Sequence, residues 1–447
     1  MLKYLISPTS ELTTDYIGKA IMDFQTRQLP TLNKLWNYYV GKQKITKKQV
    51  SHVNKPNNTP MTNFCNEIVK VYNGYLTGLP ITYSNDDFQN IVDILMYNDV
   101  GQEDNEYLRS ALIYGRAFEC NYLDEEGKQR FKLFNTKECL PIYSNTLNGD
   151  LLYVIRFYQE SMLENQEGQD NYIVEVYGPD VVRKYRSTPG FASFTLVDEY
   201  PHFFGQCPVT VFSLNADEES IFYQIISLQD NYNTVLANGV NDHEVWSDAY
   251  LVFKGTNIDF DSVLSFKEDR VMSMDSDASV EYLTKDETKA QTMELLEVLR
   301  RNIFNISNCP DFQDEKFMAQ SGEAIKYKLV GFENIAAGIE TYMRKALQRR
   351  IELISSILHL TLDEQEWRDV DIRFTRNLPS NLMPITVSEL MQYKGLVSDE
   401  TLLGLVPFIK DPLDELKKVD EQEQKELEMV EFGHYGQMDS EAEEDTK

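Results

Sequence analysis

Apolar residues recur every three to five positions in two separate stretches of the second half of the chain. This spacing puts the apolar side chains on one face of a helix. It predicts two long amphipathic helices, at 217–248 and 286–307. The apolar positions are Ile221, Ile225, Leu228, Tyr232, Val235 and Val240 in the first and Leu296, Leu299, Ile303 and Ile306 in the second.

Between these helices, residues 249–285 have short strand-like runs, "AYLVFKG", "RVMSM" and "ASVEYLT". If this insert is a compact tip, the two helices that bracket it must run antiparallel. The predicted shape is a stalk with a small strand-rich tip.

A third helical pattern, within 322–378, has its apolar stripe from Ile325 to Leu358. A helix of that length measures roughly 50 Å at about 1.5 Å per residue. Gly331 and Gly338 are candidate kink points. Ser321 is the predicted N-cap of this helix, and Glu323 would meet the positive end of the helix dipole in the first turn.

The first 216 residues alternate helical and strand patterns. Helices are expected in 29–45 and 61–80, and a hairpin is expected where "AFECNYL" and "RFKLF" flank the turn "DEEGK". Further strands are expected at 150–158 and 171–178. Short helices follow at 379–432, with Ser388 and Ser398 as candidate N-caps. The fold class is therefore α+β.

The chain has 447 residues, enough for two or three domain-sized units, and a net charge of −29. The acidity is concentrated toward the end, because 411–447 holds 14 acidic and 4 basic residues. A disordered acidic tail is predicted at 433–447. A surface of this charge does not attract nucleic acid by counterion release. The one locally basic stretch is 47–58, which a solvated loop explains.

Five scattered cysteines without a CxxC pair suggest free thiols in a reducing compartment. The first residues turn polar too early for a signal peptide, and no apolar run reaches membrane-spanning length. A soluble protein that does not bind membranes is expected.

No catalytic, cofactor-binding or metal-binding residue is predicted. The Gly-Lys pairs lack the rest of a P-loop, and GxSxG and GxGxxG are absent. The Ser321-Gly322 step is therefore interpreted as a helix start rather than a phosphate loop or a nucleophile. Asp242, His243 and Glu244 are adjacent on a helix, so their side chains point to different faces and cannot share one ion.

Several of these segments together resemble one protein family. "YYVGKQKI", "NKPNNTPMTNFCNEIVKVYNGYLTGLPITY", "ALIYGRAFECNYLDEEGKQRFKLF", "LLYVIRFY", "GQCPVTVFSLN", "SLQDNYNTVLANGVNDHEVWSDAYLVFKG" and "SGEAIKYKL" follow in the order typical of portal proteins of long-tailed double-stranded DNA bacteriophages. Many members have Val where this chain has Glu323. The likeness spans about 30–360, and it is weaker beyond 380.

The resemblance implies a homo-oligomeric ring, usually of twelve subunits, at one vertex of the capsid. The domains it implies are a mixed wing (1–216), a first stem helix (217–248), a small α/β clip (249–285), a second stem helix (286–307), a tunnel loop (308–321), a long kinked helix with a return to the wing (322–378), a helical crown (379–432) and the tail (433–447).

The implied function is to pass the viral genome during packaging and ejection, without catalysis or cofactors. The implied partners are double-stranded DNA, bound without sequence specificity, the terminase large subunit, head-completion or adaptor proteins, and capsid and scaffolding proteins. The protein would be made in the host bacterial cytoplasm and reside in the virion.

The predicted tunnel loop carries the residues expected to face DNA: Asp311, Phe312, Gln313, Asp314, Glu315 and Lys316. Its carboxylates would repel the DNA backbone and let the duplex slide, with Lys316 as a compensating contact, because strong phosphate contacts would trap the duplex. Alternatively, some of these carboxylates pair between neighbouring subunits.

Two other functions stay open at this point. One is a Mg²⁺-dependent phage DNA-processing enzyme that uses dispersed carboxylates. The other is a host-derived scaffold that binds only proteins and has no central hole.

Overall fold

A computed structural model describes residues 3–49, 56–84, 89–159, 171–247, 250–254, 279–283, 288–312, 322–358, 370–377 and 392–404, and part of 406–424. The chain forms two compact units. The first comprises Met1–Pro30, Lys70–Ser220 and Pro310–Lys447, and the second comprises Thr31–Val69 and Ile221–Cys309.

The described helices and strands alternate in the first half of the chain, and long helices dominate the second half. The α-helices are α1 (Thr14–Arg27), α2 (Leu29–Tyr39), α3 (Phe64–Thr77), α4 (Gln89–Tyr97), α5 (Val100–Tyr114), α6 (Ile226–Ser247), α7 (Thr288–Ser307), α8 (Gly322–Ile357) and α9 (Asp399–Gly404). The strands are β1 (Tyr4–Ile6), β2 (Thr82–Ser84), β3 (Arg116–Leu123), β4 (Gln129–Phe134), β5 (Cys139–Ser144), β6 (Leu151–Gln159), β7 (Tyr172–Tyr177), β8 (Val181–Ser187), β9 (Phe194–Pro201), β10 (Val209–Ser213), β11 (Tyr250–Lys254), β12 (Ser279–Leu283) and β13 (Asp371–Arg373).

The first unit contains a six-stranded sheet, β1-β5-β6-β7-β8-β9, a three-stranded sheet, β10-β3-β4, and the pair β13-β2. The six-stranded sheet is antiparallel except that β1 runs parallel to β5. A buried apolar cluster joins the two larger sheets, because it takes Phe118 and Val209 from one and Val154 and Val182 from the other. The α+β fold class is confirmed.

The predicted hairpin is present as β3 and β4. Asp124 shapes its turn, since Oδ1 accepts the backbone N–H groups of Glu126 at 3.0 Å and Lys128 at 2.8 Å. Gly127 has a φ of 76°, a left-handed conformation that glycine adopts without steric cost. The strands predicted at 150–158 and 171–178 are also confirmed as β6 and β7.

The six-stranded sheet also contains strands that the sequence pattern did not predict. Strand β9 is an edge strand whose residues are almost all exposed, so it lacks the alternation that marks a half-buried strand. Strand β5 contains Pro141, which lowers its strand signal, and β1 has only three residues.

Helix α8 is 36 residues long and stays helical through Gly331 and Gly338. The predicted apolar stripe is its buried face, with Ala336, Met343 and Leu347 all at or below 4% exposure. A kink at either glycine stays a prediction. Helix α9 begins after Ser398, whose hydroxyl accepts the Thr401 N–H at 3.3 Å, so this predicted N-cap is confirmed. Ser388 lies outside the described residues.

All five cysteines are free thiols, as predicted, and the structure buries each of them. Burial raises the pKa of the Cys207 thiol to about 11, so this thiol stays protonated at neutral pH. Within the described part of the chain, no helix has the length and apolar character needed to cross a membrane.

Candidate functional site

The second unit is organised around α6 and α7. Their far ends are linked through β11 and β12, which pair antiparallel. Gly239 of α6 faces α7 so closely that an added Cβ would lie 3.3 Å from Cγ2 of Thr292. The 3₁₀ turn Tyr223–Ile225, which leads into the start of α6, also contacts α7. The strand pair β11–β12 joins the end of α6 to the start of α7, while the start of α6 also contacts α7, so the two helices run antiparallel, as the sequence pattern predicted.

The first helix begins later than the predicted residue 217. The side-chain oxygen of Asn215 accepts the N–H groups of Asp217 at 3.1 Å and Glu219 at 3.0 Å. This local turn competes with the helical hydrogen bonds. Glu218 also adopts a φ of 52°. A helix therefore does not start at 217, and the α-helix instead begins at Ile226, after the 3₁₀ turn.

Side-chain amides on one face of α6 hold the extended segment 58–64. Asn233 Oδ1 accepts the Thr62 N–H at 3.0 Å, and its Nδ2 donates to Gln43 Oε1 at 2.6 Å. Gln229 accepts the Phe64 N–H at 3.0 Å and donates to the Thr62 carbonyl at 2.8 Å. The amides thus supply the backbone partners that a neighbouring strand would otherwise provide.

This amide face continues toward the far end of the helix. Asn241 Oδ1 accepts the Asn58 N–H at 2.7 Å, and its Nδ2 donates to the Asn58 carbonyl at 3.2 Å. Asn58 also donates through Nδ2 to Glu244. The second asparagine of the Lys-Pro-Asn-Asn motif is therefore fixed to α6 by three hydrogen bonds, two through its backbone and one through its side chain.

The same side of α6 also receives residues from the Tyr-Tyr-Val-Gly motif and the residues after it. The Tyr38 hydroxyl donates to Asp230, with Oδ1 at 2.7 Å and Oδ2 at 2.9 Å. Burial, followed by the hydrogen bond to Asp230, raises the pKa of Tyr38, which keeps the phenol protonated as a donor. Lys48 Nζ donates to Asn238 at 3.2 Å. The motif residues thus fix the chain against the helix.

We expect Asn233→Leu to destabilise this unit by about 2–3 kcal/mol, because the half-buried N–H of Thr62 and the buried Oε1 of Gln43 each lose this hydrogen-bond partner. Urea denaturation followed by tryptophan fluorescence measures the change. Asn238→Leu is the matched control on the same helix, and it should have little effect because Asn238 is exposed. Equal losses in both variants would contradict the role of the amide face.

In the first unit, α8 is anchored by a buried arginine. Arg350 donates to both oxygens of Glu119, from Nε at 2.8 Å and from Nη2 at 2.5 Å. Its Nη1 donates to Asp104 Oδ1 at 2.6 Å, and Tyr83 donates to Asp104 Oδ2 at 2.6 Å. Burial raises the pKa of Glu119, although the Arg350 charge opposes that shift. All four carboxylate oxygens have donors, so the cluster is internally satisfied.

A second arginine holds the preceding turns of α8. Arg376 Nη2 lies 2.8 Å from Glu333 Oε1 and 2.8 Å from Glu340 Oε2. Glu333 also accepts a hydrogen bond from Tyr75. The long helix is therefore fixed by ionic contacts at three points between residues 333 and 350.

The structure describes part of the predicted tunnel loop. Asp311 and Phe312 follow α7, and the Phe312 side chain is exposed. Gly322 and Glu323 are the first two residues of α8. Gln313, Asp314, Glu315, Lys316 and Ser321 lie outside the described residues, so their roles stay predictions.

The Asp242-His243-Glu244 run lies on α6, where Glu244 accepts a hydrogen bond from Asn58. Within the described residues, no three His, Cys, Asp or Glu side chains are grouped so that they could hold a metal ion. Glu244 of this run thus takes part in the contacts that hold Asn58 against α6.

Comparison with known families gives one match that covers most of the chain. The family model described as "Phage portal protein, SPP1 Gp6-like" matches residues 19–429. The portal protein of Bacillus phage SPP1 is 22% identical over 378 residues, which are 79% of this chain and 74% of that protein. The portal protein of Clostridium phage phiCD119 is 22% identical over 444 residues, which are 91% of this chain and 95% of that protein.

Solved structures with partial similarity come from gene transfer agent (GTA) particles. A chain of "Neck of empty GTA particle computed with C6 symmetry" aligns with a TM-score of 0.44 and 10% identity, over 77% of this chain and 90% of that one. A chain of "Neck of native GTA particle computed with C12 symmetry" gives 0.42 and 11%, over 78% and 89%. These scores are too low to support an argument about shape.

Proposed function

Since this chain belongs to the SPP1 Gp6-like family of phage portal proteins, we propose that it forms the ring-shaped channel at one vertex of a viral capsid. Double-stranded DNA passes through the channel during packaging and ejection. The family match over residues 19–429 is the observation that carries this proposal. The ring has about twelve copies, and the protein resides in the virion.

The helix pair α6 and α7 supports this proposal, because it offers an elongated element that sister copies can line up side by side. The signature motifs near residues 38–41 and 55–58 contribute to the network that rigidifies α6. In the proposed ring, α6 and α7 are the stem, and β11 and β12 belong to the clip. The crown at 379–432 contains α9.

The channel surface is formed in part by the loop 308–321. Its carboxylates Asp311, Asp314 and Glu315 repel the DNA backbone, so the duplex slides without strong contacts. The energy for movement comes from the terminase large subunit, a separate ATPase. Head-completion or adaptor proteins dock on the clip, and capsid and scaffolding proteins surround the wing.

Mass photometry of the purified full-length protein, combined with a nuclease assay in Mg²⁺, tests the proposal. We expect particles of about a dozen subunits and no DNA cleavage. A monomer or dimer that cuts DNA in Mg²⁺ would instead support the DNA-processing enzyme. Negative-stain electron microscopy of the same sample shows whether the particles have a central hole, and large particles without one would support a protein-binding scaffold.

A further inference from the structure

The positive charge of the chain is unusually concentrated. Residues 25–66 contain seven Lys or Arg and no Asp or Glu, in a chain that has 72 acidic residues in total. Four lysines of this stretch are exposed in the second unit, and we name them the lysine segment: Lys42, Lys44, Lys47 and Lys48. The portal function proposed above assigns this segment no role.

The backbone of the lysine segment is held in place. Lys44–Lys47 form a 3₁₀ helix, and the side chains of Gln43 and Ile45 are buried beneath it. Gln43 donates through Nε2 to Asn63 at 3.0 Å and accepts through Oε1 from Asn233 at 2.6 Å. The segment is therefore an ordered surface, whereas the sequence suggested a solvated loop from residue 47 onward.

The charge of the segment is not neutralised locally. Within the described part of the chain, no carboxylate lies at ion-pair distance from Lys42, Lys44 or Lys47. At about 0.1 M salt, charges more than about 10 Å away are largely screened. The many acidic residues elsewhere in the chain therefore weaken this local positive charge little.

Helix α6, which packs beside the segment, carries three acidic residues. Asp230 and Glu244 already accept hydrogen bonds, from a tyrosine hydroxyl and an asparagine amide. Asp242 lies one turn beyond Asn238, which accepts a hydrogen bond from Lys48. Asp242 thus opposes the charge at the Lys48 end of the segment, and the other three lysines carry the inference.

The surface of the segment is entirely polar. Besides the lysines, the exposed residues of 42–49 are Thr46 and Gln49, and the one apolar side chain, Ile45, is buried. Protein–protein interfaces are depleted in lysine and have an apolar core. Interfaces with DNA are more polar and much more positively charged. The composition of this surface therefore favours phosphate groups over another protein as its partner.

The spacing of the lysines also suits phosphates. On a 3₁₀ helix, residues three positions apart lie on the same side, about 6 Å apart along the axis. Lys44 and Lys47 have this spacing. Phosphates of one DNA strand follow each other at about 3.4 Å along the duplex axis. The two flexible side chains can therefore reach phosphates one or two positions apart on one strand.

We propose that the lysine segment binds the phosphate backbone of double-stranded DNA through Lys42, Lys44 and Lys47, without sequence specificity. This inference rests on the portal function proposed above, which brings duplex DNA to the protein. The segment and the loop 308–321 then have opposite roles, since the loop repels the duplex and the segment holds it. Contacts of this ionic, non-specific kind still allow DNA to slide.

The salt dependence of DNA binding by the full-length chain tests the proposal, with a short fluorescent duplex and anisotropy as the readout. We expect Lys44→Gln/Lys47→Gln to weaken binding by at least about tenfold at low salt. The slope of log K against log salt concentration should become shallower by at least about 1.8, because each phosphate contact contributes about 0.9. Lys44→Arg/Lys47→Arg keeps both charges and should bind like the wild type.

Lys19→Gln/Lys345→Gln is the matched control, since it removes two exposed lysines of the first unit. It should bind DNA like the wild type, and an equal loss in this control would overturn the proposal by assigning the effect to net charge. Normal DNA binding by Lys44→Gln/Lys47→Gln, a weaker affinity with an unchanged salt slope, or a wild-type chain that binds no duplex would each overturn it as well.

Circular dichroism melting and mass photometry show whether each variant is folded and assembled. A folded Lys44→Gln/Lys47→Gln variant that binds DNA normally but forms no rings would assign the segment to contacts between copies and overturn the DNA contact. If the wild-type chain binds DNA through the segment but forms no ring, the portal function fails and the DNA contact stands. The two failures are therefore distinguishable.

Discussion

Replacing Arg350 with methionine is expected to lower the melting temperature by about 10 °C. The change leaves the carboxylates of Glu119 and Asp104 buried without their cation, and breaking one side of a buried ion pair costs about 3–5 kcal/mol. For units of this size, 1 kcal/mol corresponds to about 2–4 °C. Differential scanning fluorimetry at one fixed protein concentration measures the shift, since assembly also affects melting.

A second variant separates the ionic effect from lost packing. Arg350→Met with Glu119→Gln and Asp104→Asn should recover part of the loss, because no uncompensated charge remains buried. Arg349→Met is the matched control on the same helix. Arg349 is partly exposed, and its pair with Glu352 contributes at most about 1 kcal/mol. Similar melting temperatures for Arg350→Met and Arg349→Met would rule out the anchoring role of the cluster.

Asp311→Lys/Asp314→Lys is expected to leave ring assembly intact and to slow DNA packaging by at least about tenfold. Each added lysine creates an attractive contact with the phosphate backbone, and the contacts repeat in every copy around the channel. The measurement is the amount of DNase-protected DNA over time in a packaging assay with the terminase and procapsids.

Glu125→Lys/Glu126→Lys is the control, since it makes the same charge change at the exposed turn of the β3–β4 hairpin. This control should package at the wild-type rate. Normal packaging by the loop variant would mean that Asp311 and Asp314 do not face the DNA. A defect shared by both variants would point to net charge rather than to the position of the loop.

Periodicity predicted the elements that are long and amphipathic. Helix α8 has a regular apolar stripe, and its buried face follows that stripe because one pattern governs both helix formation and core packing. The β3–β4 hairpin was predictable for a related reason, since Gly127 and Asp124 are typical turn residues. Exposed edge strand β9 gave no comparable signal.

The polar networks could not be predicted from local patterns. Asn233 and Gln43 are 190 residues apart, and Arg350 and Glu119 are 231 residues apart. Nothing near either residue in the sequence indicates its partner. The motifs around Tyr38 and Asn58 resembled a family signature, but only the structure indicates that both contribute contacts to α6.

Helix α6 starts later than the apolar pattern predicts, for a local reason that apolar spacing alone does not show. Ile221 and Ile225 continue the apolar spacing backward from the helix, so the pattern predicted a start at 217. The Asn215 side chain instead binds two backbone N–H groups and favours a turn. A polar residue just before the pattern thus favours a turn at the position where the apolar spacing predicted the helix start.

Electron microscopy of the purified full-length protein tests the central claim most directly. We predict class averages with rotational symmetry and an axial hole wide enough for a DNA duplex, with Ile226–Ser247 and Thr288–Ser307 of successive copies side by side around it. Particles in which these two helices lie inside a single globule, with no hole on the axis, would contradict the account.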